Sequence, residues 1–237
     1  MAVLLCTMSS GRTIRIAGLC GSLRDGSYTR MALALALRAA ASTGSSFETD
    51  LIDLREFDLP LCDGRPPRFE GSTGVEAFRE RIRRADGILI GTPEYHGSFS
   101  GVLKNALDLT GFSEWEGKMI GLIGVSGGRI GAHQALHSLR DIGRSLHAWT
   151  IPEQIAIPEA HRQFAMDGTL RDPQLQARLN EVGKQLAKFA FLHKCAAAHD
   201  FLADWEKAQP NPGASEDAPG NGASTISAAT APQSQAM

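Results

Sequence analysis

Short runs of apolar residues alternate along the chain with longer segments of helical pattern, and this alternation constrains the fold more than any other feature. Gly87–Gly91 and Met119–Val125 are continuous apolar runs of strand length, as is typical of strands buried on both faces of a parallel sheet. Segments with apolar residues at helical spacing lie between such runs. Five strands joined in this way predict a doubly wound α/β fold with helices on both faces of a parallel sheet.

The individual elements can be placed from periodicity and from turn residues. Pro152 favours an edge position for the last strand, because proline cannot donate a hydrogen bond to a sheet. The third strand is expected to stop at Pro93, and 55–74 is expected to be an irregular connection. The predicted strands cover 13–20, 47–54, 87–91, 119–125 and 149–157, and the predicted helices cover 28–42, 75–84, 102–109, 133–146 and a last segment from Pro173 towards Trp205.

The two ends of the chain differ in composition from its middle. Met1–Arg12 is expected to be a flexible leader, and 208–237, rich in Pro, Gly, Ala, Ser, Asn and Gln, is expected to be a disordered tail. Such a segment cannot bury enough apolar surface to offset the entropy of ordering. The folded domain is therefore predicted to span 13–207.

Charge and cysteine content exclude several classes of protein. The 237 residues include 24 Lys and Arg and 26 Asp and Glu, so the chain has no excess of positive charge of the kind that binds nucleic acid or an anionic membrane. The cysteines make no CxxC pair and are interpreted as reduced thiols of a cytoplasmic protein. The dispersed histidines are interpreted as surface or core residues, so no metal site is predicted. These residues are Cys6, Cys20, Cys62 and Cys195, and His133, His137, His147, His161 and His193.

The first predicted strand leads into a turn with the chemistry of an anion site. Gly21–Thr29 combines the hydroxyls of Ser22, Ser27 and Thr29 with the Arg24 guanidinium at the start of a helix. Unpaired amides and the positive end of the helix dipole face an anion at such a place, and arginine adds a charged bidentate donor. An ordinary capped turn with Ser27 as N-cap explains the same residues equally well.

Two further loops follow the third and fourth strands, so all three loops emerge at the carboxyl edge of the sheet, where folds of this class bind ligands. The second loop suits a flat ligand: Pro93 rigidifies it, Tyr95 and His96 offer flat or polar surfaces, and Gly97 allows close approach of the backbone. A strand-terminating turn with an exposed tyrosine is the alternative interpretation. Ser126–Gly131 forms the third loop.

Residue spacing argues against several other sites. The first turn does not contain the GxGxxG motif of dinucleotide-binding folds, and no GK[ST] of a Walker A site follows a glycine-rich loop. The third loop has glycines after a strand but matches a dinucleotide-binding turn only weakly. Cys20 lies too close to Arg24 for a cysteine-phosphatase loop. Glu94, Tyr95 and His96 are consecutive and have no nucleophile beside them, so they are not interpreted as an acid–base set.

In combination, these motifs resemble the NADPH-dependent FMN reductase family of flavodoxin-like proteins. The resemblance rests on GSLRxxS at 21–27, PEYHGSxxGVLKNALD at 93–108 and SGG at 126–128, and it extends from Thr13 to about Leu192. It implies five strands in the order 2-1-3-4-5. Thr29 stands where the family usually has Asn, Ser100 stands where Pro commonly precedes the glycine, and His96 is one of two common residues.

The resemblance also implies the cofactors and the residues that hold them. FMN is expected with its phosphate on the first turn, its ring against the second loop and the third loop at the far edge of the ring. NADPH or NADH is the expected co-substrate, and a flavin, quinone, azo compound or oxidised metal species is the expected acceptor. No catalytic acid or base is required. The expected cofactor-binding residues are Ser22, Arg24, Ser27, Tyr28, Thr29, Pro93, Glu94, Tyr95, His96, Gly97, Ser126, Gly127 and Gly128.

The resemblance further implies a homodimer or homotetramer with the second loop near a subunit boundary. A flavodoxin-like electron carrier is the alternative function, but such carriers tend to be strongly acidic and this chain has a formal net charge of only -2. A receiver-like domain is disfavoured because no acidic cluster follows the first and third strands. The sequence therefore predicts an NAD(P)H-dependent FMN oxidoreductase.

Overall fold

The structure is a computed structural model that describes residues 13–64 and 73–194. The predicted leader, the predicted tail, Cys6, Cys195 and the end of the last predicted helix lie outside the described residues. Among the described residues, no helix has the length and apolar character needed to cross a bilayer. The strands are β1 (Ile14–Cys20), β2 (Phe47–Asp53), β3 (Gly87–Tyr95), β4 (Ser98–Phe99), β5 (Met119–Val125) and β6 (Trp149–Ile157). The α-helices are α1 (Tyr28–Ala41), α2 (Thr73–Arg84), α3 (Gly101–Asp108), α4 (Phe112–Trp115), α5 (His133–Ser145), α6 (Ala160–Gln163) and α7 (Pro173–His193), and a short 3-10 helix covers Leu54–Glu56.

The five long strands form a parallel sheet in the order β2-β1-β3-β5-β6. This confirms the predicted order of five strands and the edge position of the strand that carries Pro152. At the carboxyl end of β1, Cys20 pairs with Asp53 of β2 on one side and with Gly91 of β3 on the other. The chain changes its winding direction between β1 and β3, which is the position where a ligand crevice forms in such sheets.

The third strand is longer than the sequence predicts. It does not stop at Pro93, because Thr92 and Pro93 still pair with β5. Pairing between β3 and β1 ends at Gly91, so Pro93 has an open side where the missing N–H costs no sheet bond. The strand then turns back onto β4 through His96 (φ 52°) and Gly97 (φ 76°). Positive φ at both central residues is what a type I′ hairpin turn requires.

Helices cover both faces of the sheet, as predicted. Helices α1 and α7 pack on one face, where Leu33 and Leu186 are fully buried. Helices α2, α3 and α5 pack on the other, where Phe78, Leu103 and Leu139 are fully buried. Full burial of one such side chain stabilises a fold by about 1.5–3 kcal/mol, so the two layers hold the carboxyl edge of the sheet in place.

Helix α1 begins where the sequence predicts. The Ser27 hydroxyl caps it by accepting a hydrogen bond from the Arg30 amide at 3.2 Å. The alternating Ala/Leu run inside it is helical because both residue types favour helices and because Leu33, Leu35 and Leu37 are all buried. This start of α1 fixes the first turn at the carboxyl end of β1.

Candidate functional site

A cavity of about 240 Å³ opens at the carboxyl edge of the sheet, and all three predicted loops contribute to its wall. His96, Gly97 and Gly128 are not part of this wall, since the first two form the hairpin turn and the third lies beyond Gly127 in its loop. The predicted residues that do line the cavity are Ser22, Arg24, Ser27, Tyr28, Thr29, Pro93, Glu94, Tyr95, Ser126 and Gly127.

The first turn supplies hydroxyl groups to one end of the cavity. Ser22, Ser27 and Thr29 are almost fully buried as residues. The Ser22 hydroxyl accepts from the amide of Arg24 at 3.4 Å, and the Ser27 hydroxyl accepts from the amide of Arg30. Each of these hydroxyls accepts through its oxygen and keeps its own proton to donate. The turn can therefore donate to an anion while it caps α1.

Arg24 stands at the rim of this end, and its side chain is exposed. Its guanidinium forms no hydrogen bond or ion pair with any residue in 13–64 or 73–194. A guanidinium has five donors in a planar fork that matches phosphate or carboxylate. Arg24 is thus a cationic donor that the protein itself leaves available at the cavity.

A charged network lies behind the first turn, and the sequence analysis does not identify it. The Arg30 guanidinium donates to a carboxylate oxygen of Asp53 at 2.7 Å, to the carbonyl of Asp25 at 2.8 Å and to the carbonyl of Arg24 at 3.1 Å. Arg55 donates to Asp53 at 2.8 Å and pairs with Asp25 at 3.0 Å. Asp53 ends β2 directly beside the end of β1, so its place at the carboxyl edge is the signal that could have found it.

Asp53 is only 5% exposed, and its ionisation reflects this network. Burial alone would raise the pKa of its carboxyl group, but hydrogen bonds from Arg55 and Arg30 outweigh burial and lower the pKa below its usual value. The carboxylate is therefore charged at neutral pH and holds both arginines behind the turn.

The second loop is anchored to the first turn through Ser100. Its hydroxyl donates to the carbonyl of Gly21 at 2.5 Å and accepts from the amide of Leu103 at 3.3 Å, which caps α3. The Ser100 amide in turn donates to the Thr92 hydroxyl at 3.1 Å. The serine that departs from the family pattern thus joins β1, β3 and α3 at the edge of the site.

Glu94 has a partner inside the protein as well as a place in the cavity wall. Its carboxylate accepts from the amide of Ala135 at 3.0 Å, in the first turn of α5. Ala132, the N-cap residue of that helix, provides no side-chain cap. The Glu94 carboxylate of β3 therefore satisfies an amide that helix α5 leaves unpaired. The same carboxylate faces the positive end of the helix dipole. The next residue, Tyr95, is 47% exposed at the rim.

The third loop is held by the segment that follows β6. The Ser126 amide donates to the carbonyl of Ile157 at 2.9 Å, and the Ala160 amide donates to the carbonyl of Ser126 at 3.0 Å. These bonds bring Ala160 and His161 into the cavity wall. Neither is predicted as a site residue, although both follow the carboxyl end of a strand, which is the signal that could have found them.

The residues present fit a phosphorylated flat ligand. The space around three glycines differs. A Cβ on Gly21 would lie 2.9 Å from a main-chain oxygen of β3, whereas a Cβ on Gly26 or Gly127 would have no atom within 4 Å apart from those of its chain neighbours. Packing within the protein therefore does not require glycine at positions 26 and 127, and the absence of a side chain there leaves room beside the cavity. Hydroxyls, a guanidinium and a helix N-terminus suit phosphate at one end, and Pro93 and Tyr95 suit a flat ring at the other.

Comparison with known proteins identifies the family. The sequence matches the profile described as NADPH-dependent FMN reductase over residues 14–162, a span that contains all three loops and His161. This chain belongs to the NADPH-dependent FMN reductase family. Membership confirms the predicted class of enzyme, with FMN as cofactor and NADPH as co-substrate.

Relatives in this family share most of the chain. An FMN-dependent NADPH-azoreductase from Staphylococcus haemolyticus is 39% identical over 174 residues, which cover 71% of this chain and 91% of the relative. An NAD(P)H:quinone oxidoreductase from Solanum tuberosum is 34% identical over 185 residues, which cover 74% and 92%. A solved structure of a flavoenzyme NAD(P)H:(acceptor) oxidoreductase from Paracoccus denitrificans has a TM-score of 0.60 and 27% identity, and the match covers 76% of this chain and 99% of that one.

Proposed function

We propose that this FMN reductase holds FMN in the cavity between its three loops and passes hydride from NADPH, through the flavin, to a quinone or an azo compound. The single observation that carries the proposal is that one cavity is lined both by the hydroxyls and Arg24 of the first turn and by Pro93 and Tyr95 of β3. The names of the azoreductase and quinone oxidoreductase relatives support the class of acceptor.

The first turn binds the phosphate end of the cofactor. The hydroxyls of Ser22, Ser27 and Thr29 would donate to phosphate oxygens, and the Arg24 guanidinium at the rim would add a charge-assisted bond. The amides at the start of α1 add the favourable end of the helix dipole. Tyr28, which lines the same wall, stacks on Phe164 with the ring centroids 5.4 Å apart, and this contact supports its position.

The second and third loops bind the ring end. Pro93 and Tyr95 of β3, with Ser126 and Gly127 of the loop after β5, would hold the ring. Glu94 positions this end, because its bond to the first turn of α5 fixes the end of β3. The chemistry that bound FMN supplies is the transfer of two electrons, taken from NADPH as hydride and passed to the acceptor. The protein's part is to orient the flavin and leave one side open beside Tyr95, which is half-exposed.

Turnover without a protein partner tests this function. Purified protein supplied with FMN is expected to oxidise NADPH steadily when a simple quinone or an azo dye is present, measured by absorbance of the nicotinamide. An electron carrier would need a partner protein to do so. Absence of NADPH oxidation with every acceptor, although FMN is bound, would contradict the proposal.

We also propose that the protein is a cytoplasmic homodimer or homotetramer with a subunit boundary close to the second loop. A groove of about 230 Å³ beside the first turn is lined by apolar side chains, of which Leu23, Leu61 and Val102 are exposed. A second copy of the chain would cover these groups. Light scattering is expected to show an oligomer that Val102→Glu dissociates; a monomer at all concentrations would contradict this part of the proposal.

A further inference from the structure

Arg30 lies behind the first turn and not in the cavity wall. Its side chain is 19% exposed and forms an ion pair with Asp53, whose side chain is 6% exposed. Two other bonds of the same guanidinium go to the carbonyls of Arg24 and Asp25, on the turn that carries the proposed phosphate donors. A planar fork fixed at one side by a buried carboxylate can hold two carbonyls in one geometry. Arg30 therefore joins the core of the domain to two successive peptide groups of the turn.

These two bonds determine which way the amides of the turn point. No cis peptide bond occurs among the described residues. In a trans peptide the carbonyl and the following N–H point in opposite directions. Since the carbonyls of Arg24 and Asp25 point to Arg30, the N–H groups of Asp25 and Gly26 point away from it. Neither amide donates a hydrogen bond to any residue in 13–64 or 73–194, and Gly26 lines the cavity.

The network also removes a charge that would oppose an anion. Asp25 and Asp53 place two carboxylates near the turn, and uncompensated they would repel phosphate. Arg30 and Arg55 balance them through ion pairs of 2.7 Å, 2.8 Å and 3.0 Å. Arg24 is left as the positive charge of the turn that faces the cavity.

We propose that Arg30 is a positioning residue for phosphate recognition: supported by Asp53, it orients the peptides of residues 24–26 so that their amides face the phosphate of the flavin. Arg30 does not touch the ligand. The inference rests on the proposed function, because it concerns the same site. It adds to that function a reason for flavin mononucleotide to bind in preference to a flavin that lacks phosphate.

Binding of FMN and of riboflavin to the same variants tests this role. Riboflavin has the ring and the ribityl chain but no phosphate, so a defect in phosphate recognition spares it, whereas general damage to the site weakens both. Apoprotein is titrated with each flavin by fluorescence for Arg30→Gln and Arg30→Lys. Arg38→Gln is the matched control, since Arg38 is exposed at the other end of α1.

The expected result is a loss that is specific to phosphate. Arg30→Gln is expected to raise the Kd for FMN about tenfold or more and to change that for riboflavin less than about twofold, because misdirected amides forfeit bonds to a charged acceptor. Arg30→Lys is expected to lose most of the same affinity, since one ammonium cannot hold Asp53 and two carbonyls together. Arg38→Gln is expected to bind both flavins like the wild type.

Other results would overturn the inference. Equal weakening of FMN and riboflavin would show a structural role only. Wild-type FMN affinity in Arg30→Lys would show that charge alone matters, and not the fork. If Arg30→Gln does not fold, Arg30→Lys and Asp53→Asn give the same comparison. Failure of the wild-type protein to bind FMN would instead overturn the proposed function, and it is seen in the first titration.

Discussion

Two arginines six residues apart, Arg24 in the first turn and Arg30 at the start of α1, have opposite environments. The Arg30 guanidinium donates to Asp53 and to two backbone carbonyls, whereas Arg24 is exposed at the rim of the cavity. The sequence shows only that both are arginines near a helix start. Their environments support the two proposed roles, direct contact with phosphate for Arg24 and support of the turn for Arg30.

Arg24→Ala is expected to raise the Kd for FMN by about 10- to 100-fold, because a hydrogen bond to a charged group contributes about 1.5–3 kcal/mol. Thermal unfolding of the apoprotein is expected to be unchanged, since the Arg24 guanidinium, which the substitution removes, forms no hydrogen bond or ion pair with a described residue. Flavin-fluorescence titration measures the affinity, and Arg38→Ala is the control. Unchanged affinity would count against the assignment of the phosphate site.

Asp53 predicts how stability depends on pH. Its pKa is lowered because hydrogen bonds from Arg55 and Arg30 outweigh burial, so its contribution to stability is fully present above the unfolded pKa of about 3.9 and is lost as pH falls through the lower folded value. The unfolding free energy of the wild type is expected to exceed that of Asp53→Asn at pH 7, and the difference is expected to shrink below about pH 4. Denaturant unfolding at several pH values measures it.

A difference between wild type and Asp53→Asn that stays constant from pH 7 to pH 3 would contradict this account of the carboxylate. Asp141→Asn is the control, because Asp141 is exposed on α5. The unfolding free energy of Asp141→Asn is expected to equal that of the wild type at every pH.

At the scale of elements, helix α5 depends on strand β3 for its cap. The Glu94 carboxylate accepts from the Ala135 amide, and the N-cap residue of α5 has no side-chain oxygen to do so. Glu94→Ala is expected to lower the unfolding free energy of the apoprotein by about 1 kcal/mol, the usual cost of removing a cap, and Glu94→Gln is expected to cost less. Asp141→Ala, on the same helix, is the control; equal stability of Glu94→Ala and this control would contradict the cap.

The contact between α1 and α7 depends on a glycine. A Cβ on Gly183 would overlap the carbonyl oxygen of Ala36. Alanine ordinarily favours a helix over glycine by about 1 kcal/mol, but overpacking typically costs about 1–3 kcal/mol. Gly183→Ala is therefore expected to lower the melting temperature, whereas Gly127→Ala, which has open space at its Cβ, is expected to leave it unchanged. Circular dichroism measures the melting temperature of both variants. A lower value for Gly183→Ala supports steric overlap, whereas a higher value would show that the helix propensity of alanine prevails.

Local patterns predict the long elements well, because burial imposes its period on consecutive residues. Strand β5 and the start of α1 lie where the sequence places them. Strand β4 has two residues and α6 has four, too few for any period to show. Pro93 misleads as a strand terminator, because the sequence does not show that β3 has lost its neighbour on that side.

The other features that the sequence does not predict are contacts between side chains and partners that are distant in the sequence. Glu94 and Ala135 are 41 residues apart, and Arg30 and Asp53 are 23 apart. Nothing in the residues around Glu94 indicates a helix cap, so the sequence analysis gives it only a ligand role. Both pairs are determined by the order of strands in the sheet, which places β1 beside β2 and β3 beside β5, the strand that leads to α5.

At the scale of the whole molecule, the site is expected to depend on the domain and not on the tail. The lining residues of the cavity that belong to the described part of the chain all lie between Ser22 and His161. The composition of 208–237 predicts that this segment adds no packed core. A chain that ends at Lys207 is therefore expected to bind FMN with wild-type affinity, measured by fluorescence titration. Loss of the yellow holoprotein on this truncation would contradict the prediction.

The central claim is that three loops at one edge of a parallel sheet enclose a single flavin mononucleotide. A crystal structure of the protein grown with excess FMN tests this claim most directly. The account predicts flavin density in the cavity, with the phosphate on the hydroxyls of Ser22 and Ser27, Arg24 bonded to it, and the ring against Pro93 and Tyr95. An empty cavity at full FMN excess, or a bound flavin with Arg24 turned away from its phosphate, would contradict the account.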